Sequence, residues 1–202
     1  MIDMTDSMIC SRLSELTDRK DEWPENIPFV ASLLQGRSVR VTAKALWLLG
    51  EMGLRHPNEI RDCVPCIASF LTSSEPLLRQ RSLNALGRAG RGCFSCVQPF
   101  LGDMAELASD SDPGVRLSFI WASENIASVS PDAYGVYMQV FSDLLSDAEV
   151  RVRMEAPEIF RVIGKSRPDL VFPFAEQLAD LAENDPDRVV RIHSAGALKN
   201  II

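Results

Sequence analysis

The sequence predicts an all-α protein built as a solenoid of helical hairpins. Three observations carry that prediction. Val/Leu-Arg pairs recur at Val39-Arg40, Leu78-Arg79, Val115-Arg116, Val150-Arg151 and Val190-Arg191, in steps of 39, 37, 35 and 40 residues by subtraction. Each pair opens an apolar pattern at helical spacing and follows a turn-forming stretch: GRS, SSEP, SDSDPG, SDAE or NDPDR. A second series lies between these: Ile27-Pro28-Phe29, Val64-Pro65-Cys66, Gln98-Pro99-Phe100 and Phe172-Pro173-Phe174. Its Pro steps are 37, 34 and 74, and Tyr137-Met138-Gln139 fills the vacant place. Hydrophobic content is 46% while aromatic content is only 7%, which suits closely spaced helices better than an aromatic-rich sandwich. Two helices per unit at such a period are the signature of a helical solenoid.

In chain order, Thr5 or Asp6 caps a first helix reaching about Thr17, with Ile9, Leu13 and Leu16 as its apolar face. Asp21 to Pro24 forms a turn, and Pro24 to Leu34 is the partner helix. The units run over about 1–35, 36–73, 74–109, 110–146, 147–184 and 185–202. In the third unit, Ser74 to Gly92 reads as one complete helix. Glu75 and Pro76 suit its entrance, where Pro costs no hydrogen bond, and Gly87, Gly90 and Gly92 are expected to end it as C-caps. Pro157 falls inside the first helix of the fifth unit, where it should kink the helix. The last unit holds one helix, whose Leu198, Ile201 and Ile202 lack a partner. Solenoid ends normally carry a polar cap, so this end is expected to continue or to meet another molecule, including a second copy of the chain.

These motifs resemble HEAT repeats. The likeness lies in the loop-Val-Arg opening, the Ala85-Leu86-Gly87 run and the Pro near the second helix, and it extends from about Asp6 to Ile202. The resemblance implies a right-handed α-solenoid of about five and a half HEAT-type helical hairpins. It implies no single function, because such arrays serve as transport receptors, phosphatase scaffolds, coat adaptors, bilin lyases and DNA alkylation-repair glycosylases. It also implies that the Arg column (Arg40, Arg79, Arg116, Arg151, Arg191) pairs with turn acids such as Asp112, Asp147, Asp185 or Asp187, holding neighbouring units in register.

Composition narrows the function classes. No apolar run approaches the 18 residues of a membrane span, and Asp3 and Asp6 replace the basic start of a secretory signal, so a cytoplasmic protein is expected. The cysteines of such a chain should stay reduced. Net charge is -7, the wrong sign for a nucleic-acid binder, whose affinity rests on neutralising phosphates.

No catalytic, cofactor or metal site is expected. Cys63-Val-Pro-Cys66 and Cys93-Phe-Ser-Cys96 have loosely zinc-like spacing, but Cys66 aligns with Phe29, Phe100 and Phe174, and Cys63 with Val97 and Val171. Those are core columns, so Cys63 and Cys66 are predicted to be buried and metal-free. Gly164-Lys165-Ser166 mimics the end of a phosphate loop but has Ile159 where Gly is required. His56 lies in a turn and His193 at an exposed helix position, neither with a nucleophile and a carboxylate around it.

Two surface features remain. Trp47 aligns with Leu86 and Leu198, a core column, whereas Trp121 aligns with Ala45, Asn84, Ala156 and Gly196 and is expected to face outward as a contact residue. The second helices collect Glu25, Glu59, Asp62, Asp103, Glu106, Asp132, Asp143, Asp169, Glu176, Asp180 and Glu183 against one base, Arg61. In HEAT-like solenoids these helices line the concave face. The expected function is therefore a non-catalytic scaffold that binds a basic segment of another protein through Asp103, Glu106, Asp143, Glu176, Asp180 and Trp121. The alternative is a DNA glycosylase-type enzyme using Trp47, Glu51, Arg88 and Trp121; a bilin-lyase-like protein comes third.

Overall fold

The structure is a computed structural model that describes residues 5–199. Every regular element among the described residues is helical. The chain divides into two compact units, Met1–Asp103 and Met104–Ile202.

In unit 1, α1 (Asp6–Asp18) is capped by the Thr5 hydroxyl, which accepts from the Met8 amide, and buries Ile9, Cys10, Leu13 and Leu16. Helix α2 (Trp23–Ser32) follows a short 3-10 turn. Its Trp23 is buried and donates its indole N–H to the Leu16 carbonyl at 2.7 Å, so a large side chain fills the hairpin without stranding a donor. Helix α3 (Val39–Arg55) packs against α6 (Pro76–Gly92); the first buries Leu46, Leu48, Leu49 and Met52, the second Leu83, Ala85, Leu86 and Ala89. Between them, α4 (Pro57–Ile60), α5 (Val64–Ala68) and two 3-10 segments form a broken second helix.

Small residues set the approach of α3 to α6. A Cβ on Gly50 would stand 2.8 Å from Ala85 Cα, a backbone atom that cannot swing away. Gly50→Ala is thus expected to lower stability by about 2 kcal/mol through overpacking, although Ala is the better helix former. Gly102→Ala, where a Cβ would meet nothing within 4 Å, is the control and should be neutral or stabilising. Urea unfolding midpoints of the two variants check the contrast. Gly87 and Gly90 do not cap α6. They are buried within it, the helix runs on to Gly92, and the one positive-φ Gly among the described residues is Gly36.

The remainder of unit 1 holds α7 (Phe94–Val97) and a 3-10 turn; the division between units falls within α8 (Leu101–Glu106). In unit 2, the first helices are α9 (Pro113–Ala127), α11 (Val150–Gly164) and α14 (Arg188–Leu198). The second helices are a 3-10 stretch, Pro131–Tyr137, leading into α10 (Met138–Leu144), and α12 (Pro168–Val171), a 3-10 turn and α13 (Ala175–Asn184). Phe119 stacks on Phe141 with ring centroids 5.2 Å apart, and Phe160 meets Phe174 edge-on at 5.5 Å. Helix α11 continues through Pro157 as one element. Ile201 and Ile202, expected to lack a partner, lie outside the described residues.

The structure corrects the phase of the repeat. The residue fixed in the core at each opening is Val41, Leu78, Val115, Val152 or Val190, in steps of 37, 37, 37 and 38. Val39 is 38% exposed while Val41 is fully buried, and Val150 is less buried than Val152. The helices themselves open at Val39 and Val150, as the Val-Arg pairs suggest, but the buried residue that repeats lies two positions later, at Val41 and Val152. The N-cap position also recurs, as Ser38, Glu75, Asp112, Glu149 and Asp187. The second helices likewise begin earlier than the Pro series indicates, after corners at His56, Cys93, Ser130 and Arg167, each one step of 37 from the last. At each corner the backbone N–H bonds a carbonyl four residues back, at 2.7, 2.7, 2.9 and 2.8 Å. Pro65, Pro99 and Pro173 sit inside the second helices, where the missing N–H coincides with the switches between α and 3-10.

Candidate functional site

The turns before α9, α11 and α14 are each built from two residues. Asp110, Asp147 and Asp185 each accept, through a carboxylate oxygen, the amide two residues on at 2.8 Å, an Asx turn that presents the N-cap. The Arg following the buried aliphatic residue then donates Nη1 to a carbonyl six residues back: Arg79 to Ser73, Arg116 to Asp110, Arg153 to Asp147 and Arg191 to Asp185. Arg116 also grips the Asp147 carboxylate with two bonds of 2.7 Å, and Arg153 reaches Asp185 at 3.2 Å. The pairing Arg in α11 is thus Arg153, not Arg151, and Thr42 holds this place in α3, not Arg40. Burial alone would push the Asp147 carboxyl up; the bonds from Arg116 and the Glu149 amide outweigh it and hold it below its ordinary value. Asp112 serves as the cap of α9, accepting from Val115 at 3.0 Å.

Beyond this frame, the acids of the second helices face solvent: Glu25, Glu59, Asp62, Asp103, Glu106, Asp132, Asp143, Asp169, Glu176, Asp180 and Glu183 are all exposed. The repeat of 37 sets three of these acids in order. Glu106, Asp143 and Asp180 lie one step apart, on the three successive second helices of residues 94–184, stretches without Lys or Arg. In unit 2 a groove of about 420 Å³ runs beside this column. Glu106 and Asp143 stand on its walls, with Ala105, Ala108, Val140 and Leu144 supplying apolar surface and Arg116 and Asp147 at the turn. Asp143 accepts from Gln139 at 2.9 Å and Asp180 from Asn184 at 2.7 Å, which restrains both carboxylates without neutralising them. An apolar groove with carboxylate walls can take the aliphatic stem and charged head of a Lys or Arg.

Of the remaining expected site residues, Asp103 shares α8 with Glu106 and Glu176 shares α13 with Asp180. Glu176 is exposed on α13, and Asp103 belongs to unit 1. Trp121 is 38% exposed on α9, its indole N–H donates to Glu155 at 3.4 Å, and it does not line the groove. Arg61 is not the sole base near the acids. Arg167, at the corner before α12, pairs with Asp132 and with Asp169, which removes those two carboxylates from the free set.

Trp47 belongs to the same column as Trp121, two steps of 37 away, and is half-buried instead of core. It lines a second cavity, of about 550 Å³, together with Ala43, Leu77, Arg40, Lys44 and Arg81. Glu51 and Arg88 nearby pair with each other at 2.9 Å. His193 is half-buried, not exposed, with Nδ1 2.6 Å from the Met154 carbonyl. Cys63 and Cys66 are only half-buried, a correction to their expected place in the core, since the second helix is broken there and its register shifts. Among the described residues no group of three or more His, Cys, Asp or Glu could hold a metal ion, and no described helix is long and apolar enough to cross a membrane.

Sequence reading missed one titrating group, Glu124 on α9. It is half-buried, and its shielded Oε1 has no hydrogen-bond partner. Burial, with the charges of Glu155 and Glu158, pushes it from the ordinary 4.5 up to about 8. Between those values the folded chain keeps a proton that the unfolded chain has released, so this group's contribution to stability falls as pH rises through that window. Glu124→Gln is expected to flatten that slope and to raise the melting temperature most above pH 8, as scanning calorimetry across pH would show.

No family model matches the chain, and no curated protein matches it. Solved structures do. The crystal structure of one engineered protein superposes with a TM-score of 0.73 at 20% identity, over 98% of this chain and 84% of its own. A second engineered protein gives 0.68 at 20% identity, over 87% of this chain, which spans about half of that protein (47%). At such identity the likeness establishes a shared fold.

Proposed function

We propose that the chain is a cytoplasmic, non-catalytic scaffold: a right-handed solenoid of HEAT-type hairpins that binds a basic segment of another protein along its second helices. The observation that carries this reading is the exposed acid column Glu106, Asp143 and Asp180, each one repeat from the next and free of basic neighbours on its own helix. A ladder with that spacing suits an extended peptide carrying Lys or Arg at intervals, and the groove at Glu106 and Asp143 offers a seat for one such side chain. Its test is a titration of labelled Lys/Arg-rich peptide into the full chain at rising salt. Binding should weaken with salt, chiefly through the on-rate, because separated exposed charges are screened beyond about 8 Å at physiological ionic strength.

A second reading has one observation in its favour. The cavity at Trp47 gathers Arg40, Lys44 and Arg81, the right charge and a stacking surface for nucleic acid, as a glycosylase-type protein would need. The same titration with duplex and single-stranded DNA separates the two. Submicromolar DNA binding with no peptide binding would replace the scaffold reading.

A further inference from the structure

The scaffold reading leaves one chemical cluster unused, at the corner where α6 ends. Cys93 is extended there (φ -149, ψ 92), its N–H held by the Ala89 carbonyl at 2.7 Å. Three residues on, the Cys96 thiol donates to Cys93 Sγ across 2.8 Å. Arg61 Nη2 stands 3.7 Å from the same sulfur, and Ser95 Oγ 3.3 Å. Both thiols are partly exposed. The other cysteines differ: Cys10 is buried, and the Cys63 and Cys66 thiols are not hydrogen-bonded to each other among the described contacts.

We propose that Cys93 and Cys96 are a redox-active dithiol, a modification site that closes to an intramolecular disulfide by exchange with small disulfides of the glutathione class. Cys93 is the attacking sulfur. The hydrogen bond from Cys96, followed by that from Ser95, lowers its pKa, and the Arg61 charge adds to this; burial and the shared proton raise that of Cys96. The Cys93 thiolate attacks one sulfur of the external disulfide, forming a mixed disulfide and expelling one thiolate. Cys96 then gives its proton to solvent and attacks Cys93 Sγ, and the second small thiolate leaves. The protein has lost two electrons and two protons, and the external disulfide has become two thiols. The ring spans only Cys93 to Cys96, so the bond restrains the unfolded chain little, which suits a reversible switch better than a structural staple.

The experiment incubates the full chain in glutathione buffers of graded oxidised-to-reduced ratio, quenches with acid, and weighs the tryptic peptide 92–116, which carries both cysteines. The expected product is this peptide two hydrogens lighter, in an amount that follows the buffer ratio and returns on reduction. Cys96→Ser should stop at a glutathione adduct on Cys93. At neutral pH alkylation of Cys93 should exceed that of Cys63, whose thiol burial pushes up, by on the order of tenfold. Arg61→Gln, distant from the core, should slow alkylation of Cys93 several-fold while leaving Cys63 unchanged. No loss of two hydrogens in the most oxidising buffer, or equal oxidation of Cys63 and Cys66 at every ratio, would overturn the proposal. Peptide capture does not enter this readout, so it stands or falls separately from the scaffold reading.

Discussion

Replacing Glu106, Asp143 and Asp180 together by Lys is expected to weaken binding of a Lys/Arg-rich peptide by about 100-fold. Each exposed ion pair contributes at most about 1 kcal/mol, and reversal replaces that attraction by repulsion, so three sites should cost about 3 kcal/mol, or two decades in Kd. Stability should change little, since exposed substitutions away from caps and cores usually fall within about 0.5 kcal/mol each. The Asp143 and Asp180 side chains give up one bond apiece, to Gln139 and Asn184, both within their own helices. A control reversing Glu25, Glu59 and Asp62, exposed acids outside the column, makes the same change in net charge. If the control weakens binding as much as the column variant, the effect is general charge and the column is not a site. If neither changes Kd, the acidic surface is not where the peptide binds.

The helical class and the near-37 period were legible in the sequence because amphipathic spacing, caps and turn residues all point the same way. The phase was less legible. Val39-Arg40-Val41-Thr42 and Val150-Arg151-Val152-Arg153 each offer two aliphatic residues two positions apart, and only burial decides which faces the core. Choosing the first of each pair placed Trp47 in a core column and concealed its equivalence to Trp121. Asp110, Asp147 and Asp185 are where that error would have shown, since the Asx turn and the Arg bond fix their distance from the pairing Arg at six residues. The second helices misled for another reason. Pro marks helix starts well, and Pro57, Pro131 and Pro168 do so here, but Pro65, Pro99 and Pro173 occupy breaks inside the helix. Gly87 and Gly90 read as stops because Gly is common past a helix end, yet they serve here as small residues within α6. The half-buried Glu124 left no sequence signal. Its shift comes first from burial and then from Glu155 and Glu158, on the first helix of the next hairpin.

The largest stability effect is expected at Asp147. This carboxylate binds Arg116 through both oxygens and also accepts the Glu149 amide that opens α11, while its carbonyl accepts from Arg153. Both partners of the pair are well shielded, with side chains 16% and 7% exposed. Asp147→Ala therefore leaves a shielded guanidinium without its carboxylate and removes the Asx turn, at a cost of about 3 kcal/mol. The double variant Arg116→Met with Asp147→Leu removes both charges and should recover part of this loss, though not the turn bond. The Asp147 value is depressed in the fold, so its contribution is complete above the ordinary carboxylate value of 3.8 and is lost as pH falls through the folded one. Wild type and Asp147→Ala should therefore converge in melting temperature in strong acid and differ most near neutral pH. Urea unfolding at pH 7 measures the difference directly. A loss under about 1 kcal/mol at Asp147→Ala, or a gap unchanged by acid, would mean that the Arg116 pair accompanies the repeat turn without holding it.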